Sequence, residues 1–262
     1  MLSEEQVASY RENGYIIESE VFTHEESDEF IDYMLKLKNG EIVIDGFSKR
    51  EDDGRHRTMN QHFWDPRARS LLLDKRLGES IAQCFGEPGC GIQTMFFFEG
   101  SQQGRHQDNY YLPQCMSAWV AFEDVSLRNG TIGVQKGSHK GHMVSAKELD
   151  HPHGQDFSIG GRYSDAVIDV HEENARNGME DVVVIAKKGD VVFFDGTTIH
   201  QGLPIEEPGS SRFVMANHYI RSSSIETWPY PDWPIYTFDG ELIIEGEFDP
   251  EKSPNRYVEK ST

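Results

Sequence analysis

The chain has 262 residues, a formal net charge of −20 and an isoelectric point near 4.9. An acidic surface of this strength repels DNA, RNA and anionic membranes, which excludes nucleic acid and membrane surfaces as main partners. The three cysteines lack metal-ligand spacing, the N-terminus lacks a basic and apolar leader, and no apolar run approaches the roughly 20 residues of a membrane span. These features predict a cytoplasmic protein without a disulfide framework.

Residues 1–90 have the features of a helical layer. Capping-box patterns that begin at Ser3 and Thr23 predict two helices, and residues 65–85 have the leucine spacing of a third. The polar segment 45–62 lies between the second and third helices. It is predicted to be a mobile loop that can close over a site.

From residue 91 onward the sequence is typical of β structure. Short runs of β-forming residues are separated by glycine, proline and polar turns, which favours a sandwich or barrel with the helices packed outside it. The predicted strands are 15–17, 91–98, 116–122, 131–135, 182–186, 190–194 and 211–220.

One domain, residues 1–262, accommodates this order of elements. Its β core is assigned to residues 91–221, with a polar insert at 137–181 that is expected to overhang the site and to hold histidines of no special role. Residues 222–262 are expected to form an arm that contains a hairpin with an Asp-Gly turn. This arm is expected to pack on the core or on a second subunit, so a homodimer through the arm is a further expectation.

The first candidates for chemistry are His106 and Asp108. Residues two apart in an extended segment point to the same side, so an imidazole and a carboxylate at this spacing can bind one ion. His200 follows a turn and an apolar run, and it is the best candidate for a third ligand. Two histidines and one carboxylate leave three coordination positions open, which suits a non-haem ferrous ion better than a structural zinc.

Arg212 lies at the start of a predicted strand. Alternation places its side chain on the same face as those of Val214 and His218, so the guanidinium is expected to point along the interior. A buried arginine requires an anionic partner, and a small dicarboxylate is a natural one. The alternative is a surface arginine paired with Glu206 or Glu207.

These residues and two glycine-containing turns resemble the motifs of the phytanoyl-CoA dioxygenase family of iron(II)- and 2-oxoglutarate-dependent oxygenases. The similarity extends from about Gly14 to about Tyr219, and it implies a mainly β fold, a double-stranded β-helix or cupin-like jelly roll. In chain order the matching residues are His106-x-Asp108, Asn129-Gly130-Thr131, Gly137-Ser138-His139, His200 and Arg212.

The resemblance also implies the cofactors Fe(II), 2-oxoglutarate as cosubstrate, and O2. The triad of two histidines and Asp108 is expected to hold iron, and Arg212 the distal carboxylate of 2-oxoglutarate. Gln93 and Thr131 match positions that help to hold the cosubstrate, and Trp119 is expected in the same wall. In some relatives a small residue replaces the carboxylate and admits halide, so the presence of Asp108 favours hydroxylation.

Polar and aromatic residues near these positions are the candidates for substrate contact. They are Asn60, Asn109, Tyr111 and Trp119. Such a lining suits a small polar metabolite better than a fatty acyl chain. The sequence therefore predicts a dioxygenase that hydroxylates a C–H bond of a small-molecule substrate, with release of succinate and CO2.

Two other classes of function remain open at this point. One is a redox-neutral metal enzyme on a cupin-like barrel, such as an isomerase or a hydrolase. The other is a barrel that binds a ligand without catalysis. Arg212 discriminates among the three, since only the oxygenase requires a fixed cation for a dicarboxylate cosubstrate.

Overall fold

Antiparallel strands form the framework of the protein. The computed structural model describes residues 1–45, 47, 57–149 and 160–243. In chain order the strands are β1 (Tyr15–Glu18), β2 (Gly89–Phe97), β3 (Cys115–Ala121), β4 (Ile132–Gln135), β5 (Asp181–Val183), β6 (Val191–Asp195), β7 (His200–Gly202), β8 (Val214–Arg221), β9 (Ile235–Thr237) and β10 (Leu242–Ile243).

These strands form two sheets. The larger has the order β1-β6-β3-β8-β2-β9-β10, and the smaller has the order β5-β4-β7. Neighbouring strands pair antiparallel throughout the described sheets. With helices outside, this arrangement confirms the expected mainly β, jelly-roll fold.

Apolar residues cover both faces of the larger sheet. Because successive residues of a strand point to opposite faces, Phe96 of β2 packs in the cluster under the helices while Phe97 packs between the two sheets. On β8, Met215 and Val214 divide in the same way. The site described below lies on the face that carries Phe97 and Val214.

Five α-helices occur in the described residues, with the two capping boxes at Ser3 and Thr23 in place. The helices are α1 (Glu4–Asn13), α2 (His24–Lys38), α3 (Pro66–Leu72), α4 (Lys75–Phe85) and α5 (Gly160–Arg176). None of them has both the length and the apolar character needed to cross a membrane. The three cysteines are free and buried.

The prediction of one helix over 65–85 is wrong, because the segment forms α3 and α4. Asp74 lies between them in an extended conformation, and its carboxylate accepts a hydrogen bond from the backbone N–H of Arg76. This interaction caps a new helix, so a capping residue inside an apolar pattern divides it in two.

The polar insert at 137–181 contains a helix that the sequence did not predict, because α5 occupies residues 160–176. Tyr163 and Val167, one helical turn apart, are both buried, and the Tyr163 ring lies 4.0 Å from that of Tyr110. His142 pairs with Glu148 and His171 with Asp181, His139 contacts the Arg11 carbonyl, and His151 and His153 lie outside the described residues.

The described part of the C-terminal arm packs on its own chain. β9 pairs with β2, and β10 returns antiparallel to β9 through a turn at Gly240. The indole Nε1–H of Trp233 donates to the carbonyl of Ile92 at 2.6 Å, and the Tyr230 hydroxyl donates to the carbonyl of Tyr111 at 3.0 Å. The arm is therefore part of the wall around the β core.

Candidate active site

A backbone bridge joins His106 to His200. The N–H of each residue donates to the carbonyl of the other, at 2.9 and 3.0 Å, and the two imidazole rings lie 4.1 Å apart between centroids. Two residues that are distant in the chain are therefore held together by main-chain hydrogen bonds. These hydrogen bonds involve main-chain atoms alone and none of the side-chain atoms that could bind an ion.

Asp108 joins this pair through Gln107. Gln107 is extended, with φ −123° and ψ 122°, so the side chains of His106 and Asp108 point to the same side, as expected. The segment is not a regular strand, because Asp108 begins a short 3-10 turn that ends at Tyr110. The Gln107 amide contacts backbone groups elsewhere, including the carbonyl of Thr197, and fixes the turn.

Three ligand atoms face a common point. The Asp108 Oδ1 lies 3.6 Å from His106 Nε2 and 3.7 Å from His200 Nε2, and one ligand atom from each of the three residues lies within 4.8 Å of the others. The Nδ1 atoms contact the carbonyls of Gly104 and Thr198, at 2.7 and 2.9 Å. Because a carbonyl can only accept, both Nδ1 atoms carry hydrogen and both Nε2 lone pairs point to the centre.

The protonation states also suit metal binding. Burial and the neighbouring His200 lower the pKa of His106 to about 3, so its imidazole is neutral at pH 7. Burial alone would raise the pKa of the Asp108 carboxyl, but the contacts with His200, His218 and His106 outweigh it and hold that pKa below its usual range. The site thus offers a neutral imidazole and a carboxylate without the loss of a proton at pH 7.

Two neighbours hold the second carboxylate oxygen of Asp108. Ser117 donates its hydroxyl to Oδ2 at 2.9 Å, and His218 Nε2 lies 3.3 Å from the same atom. Oδ1 is thereby left for the metal. His218 was not among the predicted site residues, although its position on the Arg212 face of β8 was the signal that could have identified it.

A cavity opens beside the triad. Two predicted residues, Gln93 and Tyr111, line it with His106 and Asp108. The other lining residues are Arg57, Met59, Met95, Gln103, Leu112, His218 and Trp233. Sequence reasoning missed the apolar members of this set, because methionine and leucine are ordinary core residues with no chemical signature.

Arg212 is buried, 1% exposed, at the other end of this interior face. Its Nη1 donates to the carbonyl of Gly130 at 3.0 Å, its Nε has no hydrogen-bond partner among the described residues, and burial lowers its pKa to about 9. Within the described residues it forms no ion pair, and Glu207 pairs with Arg128 instead. The alternative of a surface arginine paired with a nearby glutamate is therefore wrong.

The surroundings of Arg212 form a cationic end of the interior. Its guanidinium lies 4.8 Å from the centre of the Phe97 ring and 5.5 Å from that of the Trp119 ring. Arg57, which lines the cavity, lies 5.5 Å from the same Phe97 ring. Thr131 is fully buried beside Gly130, and its hydroxyl donates to the carbonyl of Val184 at 2.6 Å.

Trp119 does not line the cavity, and neither do two other residues expected at the substrate, Asn109 and Asn60. Asn109 donates from its amide to the Thr197 hydroxyl and accepts from the backbone N–H of Cys115, both at 2.7 Å. Asn60 is buried, and its backbone N–H donates to the carbonyl of Thr94. Each of the two residues is therefore part of the scaffold that surrounds the cavity.

The prediction of a mobile covering loop over 45–62 is wrong for its last residues. Gln61 and His62 are fully buried, and His62 Nδ1 lies 3.0 Å from the Thr94 hydroxyl, on the face of β2 that carries Phe96. Arg55 and most of the loop lie outside the described residues. The amide and imidazole groups misled the sequence argument, because polar side chains are usually exposed.

The donor set fits a metal with open coordination positions. Two imidazole nitrogens and one carboxylate oxygen occupy one side of the ion position, and the cavity lies beside the triad. The set contains no thiolate, which distinguishes it from the usual closed structural zinc sites. This is the facial arrangement that non-haem ferrous enzymes use.

Comparison with known proteins gives relatives along most of the chain. A protein from Homo sapiens named phytanoyl-CoA dioxygenase, peroxisomal, is 26% identical over 255 residues, which cover 84% of this chain and 71% of that protein. Phytanoyl-CoA dioxygenase 1 from Oryza sativa subsp. japonica is 29% identical over 153 residues, which cover 54% of this chain and 48% of that protein. The match thus spans about half the length of the rice relative.

Solved structures with the same fold include SnoK, described as a non-haem α-ketoglutarate-dependent enzyme, and EctD. The carbocyclase SnoK from nogalamycin biosynthesis has a TM-score of 0.67 at 22% identity, covering 84% of this chain and 85% of SnoK. EctD from S. alaskensis, solved with 2-oxoglutarate and 5-hydroxyectoine, has a TM-score of 0.64 at 18% identity. The match covers 85% of this chain and 77% of the EctD chain.

The family model described as phytanoyl-CoA dioxygenase (PhyH) matches residues 10–213, which include all three ligands of the triad and Arg212. This match covers well over half of the chain. The protein therefore belongs to the phytanoyl-CoA dioxygenase family.

Proposed function

We propose that the protein is an Fe(II)- and 2-oxoglutarate-dependent dioxygenase that hydroxylates a C–H bond of a small polar metabolite. The observation that carries this proposal is the combination of an open-sided triad with Arg212, a buried cation that forms no ion pair among the described residues. An isomerase or hydrolase on this barrel needs the triad but not the cation. A dicarboxylate cosubstrate supplies the anion that Arg212 lacks.

Iron is the metal that the donor set favours. His106, Asp108 and His200 would hold it, and their three ligand atoms would leave coordination positions for ligands from the cavity. Ferrous iron in such a site supplies the activation of O2, coupled to oxidative decarboxylation of 2-oxoglutarate to succinate and CO2. That EctD was solved with 2-oxoglutarate supports the same cosubstrate here.

The cosubstrate would extend from the triad toward Arg212. The guanidinium binds the distal carboxylate, and its contacts with the rings of Phe97 and Trp119 hold the guanidinium in place. Arg57 brings a second positive charge to the same end, while Gln93 lines the cavity beside the triad. Thr131, whose hydroxyl already donates to the carbonyl of Val184, can offer the cosubstrate only a hydrogen-bond acceptor.

The remaining groups of the site keep the metal ligands in one arrangement. Ser117 and His218 hold Oδ2 of Asp108, so the carboxylate would offer Oδ1 to the metal. Apolar cavity residues such as Met95 and Leu112 limit the access of water to the reacting centre. The substrate then lies against Tyr111 and the two cavity glutamines, with its reacting C–H bond toward the metal.

The same ligand set serves other outcomes, and ring formation is the second candidate, because SnoK is described as a carbocyclase. Mass spectrometry separates the two: hydroxylation adds one oxygen atom to the substrate, and ring closure removes two hydrogens.

Cytoplasmic location and a homodimer through the C-terminal arm complete the proposal. The contacts of Trp233 and Tyr230 with their own chain leave less of the arm for a partner, so the dimer would use its outer surface. Cell fractionation and light scattering test these two points.

The deciding experiment uses anaerobic protein loaded with Fe(II). Addition of 2-oxoglutarate should produce the weak visible charge-transfer band of a chelated keto acid, and admission of O2 should release succinate. Asp108→Ala should abolish both while the circular dichroism spectrum stays unchanged, and Arg128→Ala, at a surface ion pair, should change neither. If the wild-type protein shows neither band nor succinate, the oxygenase assignment fails.

A further inference from the structure

We infer that the C-terminal arm selects the substrate, and that Trp233 is its specificity-determining residue for a compact metabolite with a ring or branched hydrocarbon part. The inference rests on the proposed function, since it concerns the substrate of the same site. It goes beyond the family match, which ends at residue 213 and so does not include the arm.

Trp233 belongs both to the arm and to the cavity. It lines the cavity together with Leu112, Met59 and the metal ligands His106 and Asp108, although it lies far from them in the chain. Only 2% of its surface is exposed. A large apolar side chain beside the metal site can contact the part of a substrate that does not react.

The position of Trp233 is fixed from several sides. Its indole N–H donates to the carbonyl of Ile92, on the same strand β2 that brings Gln93 and Met95 into the cavity. Phe63 meets its ring edge-on, with centroids 6.4 Å apart, and Tyr230 lies 5.9 Å away. A side chain held in this way presents one constant surface, which is what discrimination by shape requires.

The chemistry of the lining indicates the class of substrate. Leu112, Met59 and Trp233 offer an apolar surface, and Gln93 and Gln103 offer amides that donate and accept hydrogen bonds. A ligand that satisfies both sets combines a polar group with a compact hydrocarbon part. An extended acyl chain matches this shape less well, because the fixed ring of Trp233 occupies that side of the cavity.

The test uses carboxamides as probes, since an amide matches the cavity glutamines and carries no charge toward Arg212. Zinc-substituted protein with 2-oxoglutarate is titrated with cyclohexanecarboxamide and with linear hexanamide. Nuclear magnetic resonance follows the indole N–H signal of Trp233. We expect the cyclic amide to shift this signal and to bind at least about ten-fold more tightly than the linear one.

Two variants complete the design. Trp233→Ala should weaken binding of the cyclic amide by roughly ten-fold or more. Trp233→Phe keeps an aromatic ring, so its affinity for the cyclic amide should fall less. Trp228→Phe is the matched control, because Trp228 packs against Tyr230 in the arm but does not line the cavity. Binding to the variants is followed by isothermal titration calorimetry.

The outcomes separate this inference from the proposed function. Equal binding of the two amides, failure of the cyclic amide to bind, or undiminished binding to Trp233→Ala would each overturn the role of Trp233. The charge-transfer band with Fe(II) and 2-oxoglutarate should persist in Trp233→Ala. A missing band in the wild-type protein would instead overturn the oxygenase assignment, whatever the amides do.

Discussion

The Nε2 atom of His218 lies 3.3 Å from Oδ2 of Asp108, the carboxylate oxygen that faces away from the other two ligands. Since a carboxylate only accepts, His218 donates this hydrogen bond. With the hydroxyl of Ser117 at 2.9 Å, it gives Oδ2 two donors, so Oδ1 is the oxygen that remains for the metal.

The first prediction concerns this support. His218→Ala should weaken Fe(II) binding by about 10- to 100-fold, because an unsupported carboxylate rotates and loses its fixed orientation. His218→Asn, which keeps a donor, should recover part of the loss. Titration of metal-free protein with Co(II), followed by its visible spectrum, gives the dissociation constant. His171→Ala, at a surface pair with Asp181, is the control, and an affinity equal to that of the wild type in His218→Ala would contradict the role.

The second prediction concerns Arg212. Arg212→Ala should raise the dissociation constant for 2-oxoglutarate by roughly 10- to 150-fold, since charged hydrogen bonds to the distal carboxylate are lost. The dissociation constant of Arg212→Lys should lie between those of the wild type and Arg212→Ala, because lysine keeps the positive charge but lacks the planar pair of donors. The anaerobic charge-transfer band measures the constant. An unchanged dissociation constant for 2-oxoglutarate in Arg212→Ala would show that another residue holds the distal carboxylate. Arg57 would then be the first candidate.

The third prediction separates scaffold from substrate contact at Asn109. Both ends of its amide are bonded, to Thr197 and to the backbone of Cys115. Asn109→Ala should therefore lower the free energy of unfolding by about 1–3 kcal/mol. Urea unfolding measures this loss. If Asn109→Ala has wild-type stability and a raised KM for the substrate, Asn109 contacts the substrate and is not part of the scaffold.

The fourth prediction concerns acid stability. Burial, with a smaller effect of Arg69, holds the pKa of His62 well below its ordinary value of 6.5. Below that value the unfolded chain binds a proton that the folded protein does not, so stability falls as the pH falls, by about 1.4 kcal/mol per pH unit for this group.

Urea unfolding of the metal-free protein at pH 7.5, 6 and 5 tests this effect. Between pH 6 and 5, the free energy of unfolding of His62→Gln should fall by about 1.4 kcal/mol less than that of the wild type. His106 has a similar effect in both proteins, so it cancels in this comparison. A surface variant, His142→Gln, should keep the wild-type slope. An equal slope in His62→Gln would mean that His62 is already charged in the folded protein.

The metal site was the most predictable part of the protein, because residue type and short-range spacing indicate its ligands. His106 and Asp108 share an orientation through one intervening residue, and His200 lies at the end of an apolar run. Residue type alone limits which ions such a set can bind. The strands were also predictable from β-forming runs between turns, and the structure confirms them apart from small shifts at their ends.

Other features depend on contacts that the sequence does not display. The helix breaks between α3 and α4 because the carboxylate of Asp74 caps a new helix, although the apolar pattern continues through this position. Burial of Gln61 and His62 follows from the packing of distant elements on β2. The cavity wall at Trp233 requires the arm to pair with that same strand, a long-range pairing that no local pattern specifies.

The reciprocal main-chain hydrogen bonds of His106 and His200 have a consequence for how the protein acquires its metal. The entropy of closing the long loop between them is lost when the chain folds and not when the ion arrives. Folding and loading are thus separable events, unlike those of a zinc finger, which is unfolded without its ion. We therefore expect the metal-free protein to be folded, with His106 and His200 already joined, and to bind and release ferrous ion without unfolding.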